Sequence, residues 1–305
     1  MSSAPEPDAP PDGDAVAGRA LTDRNTVADI GALRARIARL EAGSAPGAAG
    51  ARASVAPSVP LGAAELDAVL GGGLRRGALH EVRSADADGP LAFGFALALA
   101  GRLAANRPAL IVTTVDGAGE WGRPYGPGLA AFGLDPDGLL FVETRRPREA
   151  LWAAEEGLAS RALSAVVAEI RGDPATVDLT ATRRLALRAA RNGGTALLVR
   201  PGTMDGLSAA RTRWRIEPLA LAGPDTAAFA LPPPAWAVDL ERNATRPGGR
   251  FALTWRPDER LFASADAGDI RPALPRPAPA APAGGATRKG TVAQDTTVLR
   301  FRRTG

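Results

Sequence analysis

The chain has 305 residues, room for one large domain or two small ones, and a formal net charge of +4 that is modest for that length. It holds no cysteine and a single histidine, His80, which excludes disulfide frameworks and thiolate metal sites and removes the commonest metal ligand and general base. Lys289 is the one lysine among many arginines; with the Ala and Gly excess this reads as a GC-rich coding bias, so the sequence pI of 10.6 argues only weakly for nucleic acid.

Residues 1–26 are rich in Pro, Ala, Gly and Asp with few large apolar side chains, which predicts a disordered start. The first 14 residues are acidic and carry no apolar stretch, unlike a secretory signal. Val27, Ile30, Leu33, Ile37 and Leu40 then fall at helical spacing, which predicts an amphipathic helix over 27–42. A Gly, Ala, Ser and Pro stretch over 43–60 reads as a linker. A tethered helix with one apolar stripe must bury it, either on its own domain or on a neighbouring subunit or partner; both alternatives stand at this point.

From residue 61 the pattern is that of an alternating α/β domain reaching to 264. Strands are predicted at 78–83, 109–114, 139–143, 165–170 and 195–199, with helices at 91–105, 148–163 and 179–191, the last closed by Asn192, Gly193 and Gly194. Strands separated by helices imply crossovers and a mostly parallel sheet flanked by helices. The apolar run 91–103 is interrupted by Gly94, Gly101 and Arg102 and is too short to span a bilayer, so no membrane partner is expected and the setting reads as cytoplasmic. Beyond Arg200 the rhythm changes: 211–218 alternates like a half-exposed strand, and 236–242 with 250–255 reads as a hairpin. These predict antiparallel strands at the sheet's far edge. The stretch 265–305 is Pro- and Ala-rich and predicts a disordered tail, with Leu299 and Phe301 among arginines as a candidate short binding motif.

The segment Leu66-Asp67-Ala68-Val69-Leu70-Gly71-Gly72-Gly73-Leu74-Arg75-Arg76-Gly77, followed by a strand containing Glu81-Val82, resembles the entry to the nucleotide site of RecA-type recombinases. Ala78-Leu79-His80-Glu81-Val82, the run from Asp178 to Leu187, and Thr212-Arg213-Trp214-Arg215-Ile216 make the chain more closely similar to the ImuA family. That family is the RecA-like member of a bacterial damage-inducible mutagenesis cassette. The resemblance covers roughly residues 27–262 and implies a RecA-like fold of the RecA and SulA superfamily.

A phosphate-binding loop needs glycines whose N–H groups wrap the phosphates, a lysine for the β and γ groups, and a hydroxyl for magnesium. The corresponding stretch here contains Ser84, Asp86, Asp88, Gly89, Pro90 and Leu91. Counted from Glu81, Pro90 stands at the lysine position and Leu91 at the hydroxyl position. Glu169 ends the strand that in such ATPases carries the magnesium-associated carboxylate, and Leu198-Val199-Arg200-Pro201 has no glutamine to sense a γ-phosphate. No cofactor and no metal is therefore expected, and no catalysis.

The resemblance implies an accessory protein of SOS-induced mutagenesis and translesion synthesis, with an ImuB-like inactive Y-family polymerase as partner, and RecA as a second. Self-association through the N-terminal helix is implied by the helix that bridges RecA subunits. A divergent DNA-dependent ATPase and a SulA-like inhibitor of cell division are the alternatives. Partner-binding candidates are Ile30, Leu33, Ile37 and Leu40 on the helix, Trp121 and Tyr125 in a Gly- and Pro-rich loop, and Leu299 and Phe301 in the tail. The loops after Glu169 and Pro201 lack the aromatic and basic groups of a single-strand groove, so DNA binding is expected to be weak at most. The alternating Arg211, Arg213 and Arg215 read as a charged edge strand, and His80 as structural.

Overall fold

The computed structural model describes residues 26–27, 30–43, 57–105, 107–114, 124–171, 176–202, 206–221, 233–265 and 270–271. In chain order its elements begin with β1 (Thr26–Val27), α1 (Ile30–Gly43), β2 (Ser58–Val59), α2 (Ala64–Leu70), β3 (Leu74–Arg75), β4 (Leu79–Ser84) and α3 (Gly89–Ala104). There follow β5 (Ala109–Thr114), α4 (Gly126–Ala131), β6 (Leu139–Thr144), α5 (Pro147–Ala159), β7 (Ala165–Glu169), α6 (Leu179–Asn192) and β8 (Thr195–Pro201). The last are β9 (Thr212–Pro218), β10 (Ala220–Leu221), β11 (Ala235–Asn243), β12 (Gly249–Arg256), β13 (Leu261–Ser264) and β14 (Ile270–Arg271).

β5, β6, β7 and β8 are apolar at most positions, and β4 is buried along its whole length, because helices cover both faces of this part of the sheet. They form the parallel middle of a ten-stranded sheet of order β1-β6-β5-β7-β8-β4-β9-β11-β12-β13. This is the mixed α/β, RecA-like architecture that the sequence predicts. Successive residues of a strand point to opposite faces. Ile111, Val167, Leu197, Val199 and Val82 accordingly meet α3 on one face, while Leu110, Val112, Val166, Ala168 and Leu198 meet α5, α6 and α1 on the other.

Beyond β4 the sheet is extended at its far edge by antiparallel strands, as the sequence predicts, but β9 is not itself the edge. β9 pairs parallel to β4 and antiparallel to β11, so it is an interior strand and only β11 begins the antiparallel part. The hairpin of β11 and β12 has Trp236 opposite Leu253 and Val238 opposite Phe251, in the position predicted. Its inner face joins Trp214, Trp236, Trp255, Phe262 and Phe132 around Phe95 of α3, with Phe95 5.4 to 5.7 Å from three of these rings. Each such side chain contributes about 1.5–3 kcal/mol on burial, so the centre of gravity of the core lies between α3 and the C-terminal strands.

The Gly-Gly-Gly run is a structural turn. Gly71 caps α2 at φ 78°, and Gly73 at φ 117° passes so close to the Val59 carbonyl that a Cβ there would collide with it. Asp67 of the same motif accepts from the N–H groups of Leu61 and Gly62 at 2.7 and 3.0 Å, which fixes the entry to α2. β2 pairs with β3, so residues 58–59, read from sequence as the end of a linker, already belong to the folded unit.

The N-terminal helix takes the first of its two alternatives. Leu33 is fully buried and Ile37 nearly so among Leu140, Val142, Leu151 and Leu158, while Ile30 and Leu40 are half-buried. Arg34 makes a two-pronged pair with Glu156 of α5, both contacts at 2.8 Å, and Ser160 Oγ donates to Glu41 at 2.8 Å. Within this chain, Leu33 and Ile37 are therefore core residues rather than an open partner surface.

Candidate functional site

The residues with chemical potential gather at the carboxyl ends of β4, β5, β7 and β8, where open α/β sheets present their ligand crevices. Ser84 ends β4, a short 3-10 turn covers Asp86–Asp88, and α3 begins at Gly89 with Pro90 in its first turn. Proline is well suited to that position because its missing N–H is one a helix start leaves unbonded. The same absence removes a donor from the place where a phosphate would sit. Asp88, the residue preceding the helix, is buried and makes no side-chain capping hydrogen bond, so an acidic residue stands where the loop would leave room for an anion. Leu91 packs against the aromatic core, and its carbonyl accepts from Trp236 Nε1 at 3.1 Å.

Three further polar groups lie on the α3 face of these strand ends. Ser84 Oγ, Thr113 Oγ1 and Glu169 Oε1 are buried and have no hydrogen-bond partner among the described residues. Burial drives the Glu169 carboxyl up to about 7, with Arg171 opposing the rise. A carboxyl that is partly protonated near neutrality is weakened as a magnesium ligand.

The opposite face of β4 carries an ionic cluster that the sequence reading missed. Glu81 Oε1 meets Arg83 at 3.2 Å and Arg200 at 3.1 Å, and its Oε2 meets Arg213 at 3.7 Å. Burial alone would raise the Glu81 carboxyl, but a hydrogen bond from Ser208 and the charges of Arg83, Arg200 and Arg213 hold it below its ordinary value. Arg215 continues the cluster to Glu241 at 3.0 Å and Asp239 at 3.4 Å. The signal was present as charged residues inside two otherwise apolar strands, Leu79-His80-Glu81-Val82-Arg83 and Leu197-Leu198-Val199-Arg200. Arg213 and Arg215 do not guard an edge, as expected from sequence; they balance carboxylates within the sheet.

Between β8 and β9 the chain crosses over β4, a step usually made by a helix, and residues 206–211 cross as a strap with no helix among them. Arginines from the sheet hold it: Arg213 donates to the Gly206 carbonyl at 3.0 Å and Arg242 to the Ser208 carbonyl at 2.7 Å. Leu207 stands 76% exposed at its crest.

No family model matches the chain. It is similar to Protein ImuA of Caulobacter vibrioides, in strains NA1000 / CB15N and ATCC 19089 / CIP 103742 / CB 15 alike. The two are 33% identical over 209 residues, spanning 63% of this chain and 82% of the relative. The chain belongs to the ImuA family.

The remaining candidates in this ImuA-family chain are scattered. Tyr125, at the start of α4, is 52% exposed, while Trp121, Leu299 and Phe301 lie outside the described residues. Trp152 on α5 and Leu187 on α6 are also large, apolar and at least half exposed, positions for which helical periodicity gave no separate signal. His80 is fully buried. Its Nε2–H donates to the Arg75 carbonyl at 2.8 Å, so its Nδ1 accepts from Thr212 Oγ1 at 2.7 Å, and that oxygen accepts from Trp214 Nε1 at 2.7 Å. Burial pushes this imidazole down to about 4, the Arg75 carbonyl opposing and Arg211 assisting. It is a neutral core group. Among the described residues no helix is long and apolar enough to cross a membrane and no cluster of ligands fits a metal ion.

Proposed function

We propose that this ImuA-family chain is a non-catalytic RecA-like accessory protein of SOS-induced mutagenesis and translesion synthesis. It acts by contact with an ImuB-like inactive Y-family polymerase, and with RecA. The observation that carries the reading is the start of α3, where Pro90, Leu91 and buried Asp88 replace a lysine, a hydroxyl and an open anion site. A phosphate there would meet a missing N–H and a neighbouring acidic residue, and the burial that raises Glu169 weakens its hold on magnesium. Membership of the ImuA family supports the cellular role.

Titration of the full chain with a fluorescent ATP analogue, and steady-state hydrolysis with and without single-stranded DNA, test the first half. Neither saturable binding nor turnover is expected; saturable binding with DNA-stimulated turnover would establish the divergent-ATPase alternative instead. Capture of partners from DNA-damaged cells tests the second half, comparing the full chain with Tyr125→Ala and with a Leu299→Ala/Phe301→Ala pair. Recovery of an inactive Y-family polymerase that weakens in one of these variants supports the reading. Truncation through α1 is unsuitable because it removes Leu33 and Ile37 from the core.

A further inference from the structure

Among the described residues no helix packs on one face of β9, β11 and β12, and that face is charged in a regular way. Strand pairing places Arg200, Arg83, Arg215, Asp239 and Arg250 in a single row across five adjacent strands. At about 4.8 Å per strand the row is about 19 Å long. One step along the strands stand Glu81, Arg213 and, past a bulge, Arg242.

Carboxylates do not keep pace with guanidiniums here. Among the described residues of this face, four carboxylates, Glu81, Glu217, Asp239 and Glu241, stand with six arginines, Arg83, Arg200, Arg213, Arg215, Arg242 and Arg250, of which Arg242 donates to the Ser208 carbonyl. Arg83 and Arg200 are buried and Arg213 is mostly buried, beneath Arg215, Arg242 and Arg250. Arg250 is 83% exposed and Arg215 a third exposed. Around them the same face offers the small Ala237, Ala252 and Thr254, with the exposed Glu217 opposite Ala237. Protein partners are usually gripped by buried aromatic or large aliphatic anchors, and among the described residues Leu207 on the strap is the one such side chain there. A surplus of guanidiniums on a flat, small-residue surface suits phosphate oxygens.

We propose that this face of β9, β11 and β12 binds nucleic acid through its phosphates, without reading bases, with Arg250, Arg242 and Arg215 as the contacting groups and Arg213, Arg83 and Arg200 as the charge beneath. The inference goes beyond the accessory role proposed above and does not depend on the identity of its protein partners. It also differs from a single-strand groove: no aromatic side chain of the described residues on this face can stack with a base, so duplex binds at least as tightly as single strand.

The test is fluorescence anisotropy of the full chain with a labelled 30-base-pair duplex and the matching single strand, from 50 to 200 mM salt. Expected are micromolar affinity at the lower salt, a fall of about tenfold or more across the range for three or four phosphate contacts, and no preference for single strand. Arg242→Glu/Arg250→Glu weakens binding at least about tenfold, whereas Arg39→Glu on α1, toward the opposite edge of the sheet, leaves it unchanged. Arg250→Gln, at the most exposed site and least able to disturb the fold, weakens it about two- to threefold. No binding at 50 mM salt, indifference to the Arg242 and Arg250 changes in a folded variant, or tenfold tighter binding of single strand would each overturn the proposal. So would a polyglutamate peptide of equal charge that binds this face more tightly than duplex, which would assign it to an acidic protein segment. Loss of polymerase capture with intact DNA binding would refute the accessory reading alone.

Discussion

Replacing His80 by Asn isolates a buried titration whose sign and size follow from the hydrogen bonds around the ring. The folded protein holds this imidazole neutral, because Nε2–H is committed to a carbonyl and Nδ1 to a hydroxyl proton, and its pKa falls from 6.5 to about 4. The unfolded chain therefore binds a proton that the folded chain refuses between those values. Stability rises with pH there: the contribution is fully present above 6.5 and is lost as pH falls toward 4. At about 1.4 kcal/mol per pH unit the loss amounts to about 3 kcal/mol. Urea unfolding at half-unit steps from pH 7.5 to 4, for wild type and His80→Asn, gives the difference in unfolding free energy at each pH, in which all other titrations cancel. That difference is expected to shrink by about 3 kcal/mol over the range. A difference constant to within about 0.5 kcal/mol would refute the buried, neutral assignment.

Glu169→Gln works in the opposite sense. Its folded pKa of about 7 lies above the ordinary 4.5, so the wild-type group costs stability as pH rises through that window. The variant should be about equal to wild type at pH 4.5 and up to about 3 kcal/mol more stable at pH 8 by urea unfolding. Glu81→Gln leaves Arg83, Arg200 and Arg213 facing one another without their shared carboxylate, and should cost about 3–5 kcal/mol, read as a lower denaturant midpoint at pH 7.5. Leu33→Ala should cost about 2–5 kcal/mol in thermal or urea unfolding if α1 is part of the core, and almost nothing if its stripe faces solvent. Pro90→Lys/Leu91→Thr should fold and still fail to bind ATP in an equilibrium titration, since Asp88 remains at the helix start.

The parallel middle of the sheet was legible because β5, β6, β7 and β8 are buried on both faces and read as unbroken apolar runs. Helix ends were legible where capping chemistry is local: Asp178 accepts from Ala181 N–H at 2.7 Å and Gly193 closes α6 at φ 76°. The short strands β2, β3 and β13 were not, since two- to four-residue pairings draw their stability from neighbours distant in sequence. β9 was misplaced for a related reason. Its alternation of Arg213, Trp214, Arg215 and Ile216 looks the same whether the polar face meets water or a carboxylate cluster, and Glu81 lies 132 residues before Arg213. Of the candidate site, the proline and leucine at the start of α3 were readable by position, but the burial of Glu169 and Asp88 was not.

On the reading proposed above, no nucleotide orders the turn before α3, and this chain's own side chains hold it instead. Pro90 presets the backbone of the first turn, Leu91 points into the apolar core, and Trp236 of β11 donates to the Leu91 carbonyl. Phe95, one turn on, lies at the centre of the aromatic cluster from β9, β11 and β13. The helix is thus fastened by the C-terminal strands from one side of the sheet, independently of any ligand at its N-terminus. Across the sheet, the Glu81 cluster does the same for the strap between β8 and β9, which arginines hold down through the carbonyls of Gly206 and Ser208. Both segments that a nucleotide would order at the ends of β4 and β8 are anchored by this chain's own side chains. On that account, a nucleotide added to the folded protein should leave amide exchange unchanged in residues 84–91 and 206–210. Protection gained there on adding ATP would mean that the loop retains a ligand and that the anchors are secondary.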